Sequence, residues 1–257
     1  MRRSAVALLV LLLLGVLPAS EGHAQSFSSG ERTGPVRIGS VNFNVGAPVG
    51  PFADNIEDSG FGGNLFLGTQ LGASPVVLGL DLGFLIYGRS ERTVPFSNTV
   101  GPSVNVDVIT TNNIFQPHAV LRLQPLQGPF RPYVEAVGGF KYLFTRTRIE
   151  DRGGSNDDDD DIASETNFDD FAWSGGGGAG VDIMVYRPSA KAGKKSSFRG
   201  LSLHLGSQYL FGQEAEYLAE GELVDENRNG RLDNSELDVR RSATTLLLFK
   251  LGVTAYF

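Results

Sequence analysis

The segment LLLFKLGVTAYF, residues 246–257, decides the fold. Leu247, Phe249, Leu251, Val253, Ala255 and Phe257 take one set of alternate positions, while Lys250, Gly252, Thr254 and Tyr256 take the other. Successive side chains of an extended strand point to opposite faces, so this segment has one apolar face and one mixed face. The same period recurs upstream. Val76, Leu78, Leu80, Leu82, Phe84 and Ile86 oppose Gly79, Asp81, Gly83 and Tyr87, and Val134, Ala136, Phe140, Tyr142 and Phe144 oppose Glu135, Gly139, Lys141 and Thr145. Sustained helical periodicity is lacking after the first two dozen residues.

Eight alternating segments result, at about residues 36–47, 60–73, 76–90, 104–124, 132–148, 169–187, 200–215 and 239–257. Loops rich in Gly, Pro, Asp, Asn and Ser separate them. Most segments exceed the roughly 9 to 11 residues with which a tilted strand crosses a bilayer. Three connections are tight or moderate: Gly72 to Pro75, Pro125 to Pro132 and Arg187 to Gly200. The other four are longer and richer in acid, so the two ends of a meander would differ. The expected fold class is all-β, an eight-stranded antiparallel up-and-down transmembrane β-barrel.

Composition narrows the function. The chain has 257 residues, 33 glycines, no cysteine and a formal net charge of -7. Without cysteine there is no disulfide framework, thiol nucleophile or cysteine zinc site. The acidic balance argues against a nucleic-acid partner. Residues 1–24 read as a secretory signal, with Arg2 and Arg3 before an apolar run from Ala5 to Leu17 and a cut expected after Ala24. A short uncleaved anchor is the alternative. Residues 25–34 are then an N-terminal segment and 35–257 the barrel domain.

Three stretches carry a resemblance: the terminal strand itself, PFRPYVEAVGGFKY at 129–142 and GGGGAGVDIMVY at 175–186. On these the chain resembles the small eight-stranded outer-membrane barrels, which include the OmpA transmembrane domain and the OmpX-like and OmpW-like porin-type proteins. The resemblance covers about residues 35 to 257. It implies residence in the outer membrane of a double-membraned, Gram-negative bacterium. It also implies contact with outer-membrane lipids and lipopolysaccharide, and handling by the barrel-assembly machinery through the strand ending in Phe257. One departure is Pro117, inside the fourth segment, where a closed barrel has no free edge to tolerate a missing N–H. A bulge or break is expected there.

A soluble, lipocalin-like barrel would show the same alternation with its apolar face turned inward. The terminal Phe257, the strand lengths and the unequal ends favour the membrane. The lumen would then hold Asp81, Glu135 and Asp182 against Arg122, Lys141 and Lys250. An eight-stranded barrel is just wide enough for its own side chains to fill it. Buried ions need partners, so an ion-paired plug and a closed barrel are expected. His118 and His204 fall on lumen faces and read as satisfied interior histidines. The glycines between Gly175 and Gly180 lack the ending and context of a phosphate loop, and mark close backbone approach or a neighbouring bulky side chain.

The most specific local motif is DENRNGRLDNSE, residues 225–236, which fits D-x-[DN]-x-[DN]-G-x5-E at every required position. Asp225, Asn227 and Asn229 would supply side-chain oxygens to Ca2+, Arg231 its backbone carbonyl, Asp233 a fifth ligand and Glu236 two oxygens, with Gly230 at the sharp turn. This resembles the EF-hand and dockerin type of calcium loop. A solvated Asx- and Gly-rich turn is the plain alternative. The preceding AEYLAEGELV, residues 215–224, could make only a short helix. The acidic run Asp157 to Asp161, with Glu165, Asp169 and Asp170, is expected to form a mobile loop. Five bases and no acid, from Arg187 to Arg199, fit the opposite end of the barrel. No catalytic arrangement can be read from the spacing. The reading is a non-enzymatic barrel in a structural or surface-interaction role. The alternative is a narrow transporter for small apolar molecules, which a lateral gap near Pro117 would mark.

Overall fold

Alternation at every second residue becomes a wall with two unlike surfaces. The computed structural model describes residues 35–56, 58–95, 105–151, 161–188, 198–223 and 237–257, within one compact unit, Pro35–Phe257. Its elements are β1 (Arg37–Pro48), the single-turn helix α1 (Pro51–Asn55), β2 (Gly60–Gln70), β3 (Val76–Pro95), β4 (Asn105–Leu123) and β5 (Phe130–Asp151). There follow β6 (Asp161–Tyr186), β7 (Gly200–Gly212), β8 (Glu214–Leu223), β9 (Leu237–Ala243) and β10 (Leu246–Tyr256). Eight strands close a barrel in the order β1-β10-β7-β6-β5-β4-β3-β2, each neighbouring pair antiparallel. Closure leaves no strand edge open around the wall.

The apolar set faces outward. Val41 and Phe43 are 67% and 53% exposed, and Leu67, Leu80, Leu121, Val134, Leu203, Leu251 and Val253 continue the belt around the barrel. A soluble monomer rarely exposes a contiguous apolar patch above a few hundred Å2. The lipocalin-like orientation is therefore excluded. Aromatic rings mark both ends of the belt. Tyr186 stacks on Phe198, which meets Phe257, at the end of the short turns. At the other end Trp173 packs edge-on to Phe171, and Tyr209 to Phe211. Such girdles sit at the two interfaces of a membrane-spanning barrel.

The strands differ in length. β3, β4, β5 and β6 have 20, 19, 22 and 26 residues, while β1, β2, β7 and β10 have 12, 11, 13 and 11. β3 pairs with β2 only as far as Ile86 but with β4 as far as Pro95. Likewise β6 pairs with β7 only from Ser174 onward but with β5 from Asp161. A four-stranded sheet thus rises above the wall at the long-loop end. This corrects the mobile acidic loop: Asp161, Glu165, Asp169 and Asp170 belong to β6, and Asp157 to Asp160 lie outside the described residues. Pairing with β5 supplies the backbone hydrogen bonds that hold this acid-rich stretch extended.

The last two expected segments each break in two. Between β7 and β8, the Gln213 N–H bonds to the Trp173 carbonyl at 2.9 Å. Between β9 and β10, the Thr244 N–H bonds to the Gln213 carbonyl at 3.2 Å. β8 and β9 leave the wall there and pair only with each other. Residues 215–223 of AEYLAEGELV are accordingly strand, not helix. Ala215 and Tyr217 alternate inward with exposed Glu214 and Glu216 outward, a period-two pattern that burial on one side selects. Residues 1–24 and 25–34, the expected signal and N-terminal segment, lie outside the described residues.

At Pro117 the expected break occurs without a bulge. Pairing of β4 with β5 lapses between Phe115↔Tyr142 and His118↔Gly139 without a shift of register, while Leu82↔Pro117 keeps the other side joined. Gly139 fits this place because a Cβ there would stand 2.1 Å from the Pro117 carbonyl oxygen. In the β3–β4 ladder the irregularity of register lies instead between Ile86 and Gly88.

Candidate functional site: the sealed lumen

Inward positions on all eight wall strands converge on the barrel axis, and their polar atoms fall into layers. Nearest the short turns, Asp182 accepts from Gln124 Nε2 at 2.6 Å, Tyr256 Oη at 2.7 Å and Thr254 Oγ1 at 3.3 Å, and its Oδ1 is 2.8 Å from His204 Nδ1. The other ring nitrogen of His204 lies 3.2 Å from Tyr133 Oη. Arg131 closes this end, its guanidinium 4.3 Å from the centre of the Tyr256 ring. All of these side chains are buried.

The next layer is built around Arg122. Its Nε and Nη2 both donate to Glu135 Oε2 at 2.8 Å, and Gln208 Nε2 donates to Glu135 Oε1 at 2.6 Å. The guanidinium is held between the rings of Phe66 and Tyr133, 4.1 and 4.0 Å from their centres. Planar stacking with directed N–H groups is what Arg does better than Lys. Tyr133 itself fits because its neighbours lack side chains: a Cβ on Gly180 or Gly206 would stand 2.5 or 2.2 Å from its hydroxyl. Close approach by a bulky side chain is thus one reason for the glycines of β6. Above Arg122, Lys250 donates to Asp81, which also accepts from Asn64 Nδ2, and Asn42 Nδ2 donates to Asn64 Oδ1 at 3.1 Å.

A lid covers the long-loop end. Leu85, Ile114, Leu143, Leu210, Leu246 and Leu248 line the upper lumen, and Phe52 of α1 packs edge-on against Tyr217 of β8 at 5.0 Å and beside Tyr87 at 6.0 Å. Tyr217 Oη lies 2.6 Å from Ser242 Oγ and accepts from Asn55 Nδ2 at 2.9 Å. The hydroxyl therefore keeps partners although its ring is buried.

The expected three-on-three pairing is met twice. Asp81 takes Lys250 and Glu135 takes Arg122, but Asp182 and Lys141 do not meet. Asp182 is held by His204, Gln124, Thr254 and Tyr256, and the Lys141 ammonium donates to the Thr244 backbone carbonyl. The two sit at opposite ends of the barrel interior: Arg131 stands opposite Asp182, whereas Lys141 stands opposite Ala172. His204 is satisfied as expected, but His118 Nε2 has no hydrogen-bond partner among the described residues. Near Pro117 the β3–β4 ladder is unbroken, and the β4–β5 ladder lapses only at Gln116 and Pro117 before resuming in the same register. At the short-turn end Arg187 donates to the Gly128 carbonyl, while residues 189–197 of the basic connection lie outside the described residues. Sequence reasoning missed Asn42, Asn64, Gln124, Arg131 and Tyr133. The first two were visible as polar alternates in SVNFNV and GGNLFL.

The calcium-loop positions Asp225, Asn227, Asn229, Arg231, Asp233 and Glu236 lie outside the described residues. Their flanks are described and are strands, not helices: Leu223 pairs with Leu237, which brings the two ends of the 224–236 stretch side by side. Among the described residues no group of three or more His, Asp and Glu is placed to hold a metal.

The family model for the outer membrane protein beta-barrel domain matches residues 9–186. No curated protein matches the sequence. Among solved structures, the chain is similar to Neisserial surface protein A (NspA), at 12% identity and TM-score 0.34, over 86% of this chain and 94% of that one. It is also similar to Ail, the attachment invasion locus protein of Yersinia pestis, solved with the heparin analogue sucrose octasulfate, at 12% identity and TM-score 0.33, over 87% and 99%. The N-terminal β-barrel domain of Pseudomonas aeruginosa OprF gives 12% identity and TM-score 0.25, over 87% and 97%.

Proposed function

Because this chain belongs to the outer membrane protein beta-barrel domain family, we propose that it is a non-enzymatic surface protein whose closed barrel holds a raised sheet and a calcium-binding loop outside the membrane. The sealed lumen carries this reading. Glu135, Arg122, Asp81 and Lys250 fill its middle, and Phe52, Tyr87 and Tyr217 cover its long-loop end. A barrel filled this way is suited to anchoring rather than conduction. In planar-bilayer recordings the purified protein is expected to give no steady large conductance, and a sustained large conductance would contradict the reading.

The surface role falls to the acid-rich outer segments, which would meet lipopolysaccharide or neighbouring surfaces through divalent cations. In the loop at 225–236, Asp225, Asn227, Asn229, Asp233 and Glu236 with the Arg231 carbonyl form the ligand set, and the paired β8 and β9 bring its ends together. Three carboxylates in the set place the affinity in the weak extracellular range of about 10⁻⁴ to 10⁻³ M. Calorimetric titration with calcium is expected to show one binding event in the wild type and none in Glu236→Ala. Indistinguishable titrations would remove the site. The barrel-assembly machinery is the proposed partner during insertion, reading the strand that ends in Phe257.

A further inference from the structure

Two buried lumen cations form no ion pair among the described residues: Arg131, which rests on the Tyr256 ring at the short-turn end, and Lys141. Lys141 is fully buried, and its ammonium donates to the Thr244 carbonyl without forming an ion pair among the described residues. Lys250 is paired with Asp81 and Arg122 with Glu135, and Asp182 is held by His204, Gln124, Thr254 and Tyr256. Asp170, two residues from the Ala172 that pairs with Lys141, accepts from the backbone N–H groups of Phe171 and Glu216, each at 2.7 Å. An ion buried without a counter-charge is strongly unfavourable.

The wall around Lys141 carries unused donors. The pairs Phe115↔Tyr142 and His118↔Gly139 place Gln116 opposite Lys141, and Gly139 also pairs with Ser174 on its other side. Among the described residues, both side-chain polar atoms of Gln116, Ser174 Oγ and His118 Nε2 lack a partner, and all three residues are more than nine-tenths buried. Asn44, fully buried and paired in register with Lys250 farther round the wall, likewise has both amide atoms unpartnered among the described residues. Buried polar groups are almost always hydrogen-bonded. The Lys141 ammonium, with the Gln116 amide and the Ser174 hydroxyl on the flanking strands, makes a donor set for a small anion.

We propose that the upper lumen is a buried halide site, in which a chloride-sized anion sits against Lys141 within reach of Gln116 and Ser174. The full chain, refolded in detergent with sodium bromide and crystallised, is expected to show an anomalous bromide peak within hydrogen-bond reach of Lys141 Nζ. A lumen without a bromide peak overturns the proposal. In solution, the midpoint of heat-modifiable gel mobility should be higher in sodium chloride than in sodium gluconate at equal ionic strength, and Lys141→Met should lose that difference. An equal chloride effect in Lys141→Met overturns it as well. Ser174→Ala keeps the charge and removes one donor, so it should reduce the chloride shift even where Lys141→Met fails to fold.

Discussion

Replacing Glu135 with Leu is expected to destabilise the barrel by about 3 to 5 kcal/mol, the usual cost of stripping one partner from a buried ion pair. Arg122 is 3% exposed at its side chain and Glu135 0%, so water cannot replace the lost carboxylate. The rings of Phe66 and Tyr133, 4.1 and 4.0 Å from the guanidinium, hold it in place beside the lost carboxylate. Gln208 loses its 2.6 Å acceptor at the same time, although its contact with Asp81 at 3.4 Å remains. The measurement is the midpoint of denaturant unfolding in detergent micelles, followed by the gel-mobility shift on boiling. Adding Arg122→Met to Glu135→Leu is expected to restore much of the loss, because an apolar pair of similar volume leaves no buried charge. If Glu135→Leu were as stable as the wild type, the lumen would be hydrated and the plug account wrong.

Much of the wall was legible because its physics is local. In LLLFKLGVTAYF each side chain's face follows from position alone, and Lys250, Thr254 and Tyr256 are buried inside while Leu251 and Val253 lie outside. The lumen acids and bases were found the same way, since each sits at an inward alternate position. Which acid meets which base was less legible. That depends on strand tilt and on height along the axis, so Asp182 and Lys141, both inward, end far apart in register. Neutral partners such as Gln124 and Tyr256 then complete what a charge count alone would assign to ions.

The outer mouth was the least legible region. Tyr217 and Leu218 lie in a stretch whose pattern suits a short helix as well as a strand, and long-range contact with Phe52 and Tyr87 selects the strand. Nothing near Gln213 or Thr244 in the sequence announces that the chain leaves the wall there. The backbone bonds that make the corner join Trp173, Gln213 and Thr244, which are up to dozens of residues apart. The acids from Asp161 to Asp170 misled for a related reason. Charge repulsion argues for a loop, but β5 pairs with β6 from Asp161 to Ile183, with two shifts of register.

The central claim is the direction of the two faces, and Trp173 reports on it alone, as the chain has one tryptophan. Its side chain points out of the barrel, 60% exposed, beside Phe171 in the ring of aromatics at the long-loop end. In vesicles of lipids brominated at a shallow acyl position, most of its fluorescence should be quenched, while aqueous iodide should change it little. Quenching by iodide with no response to brominated acyl chains would mean that the apolar wall does not face lipid.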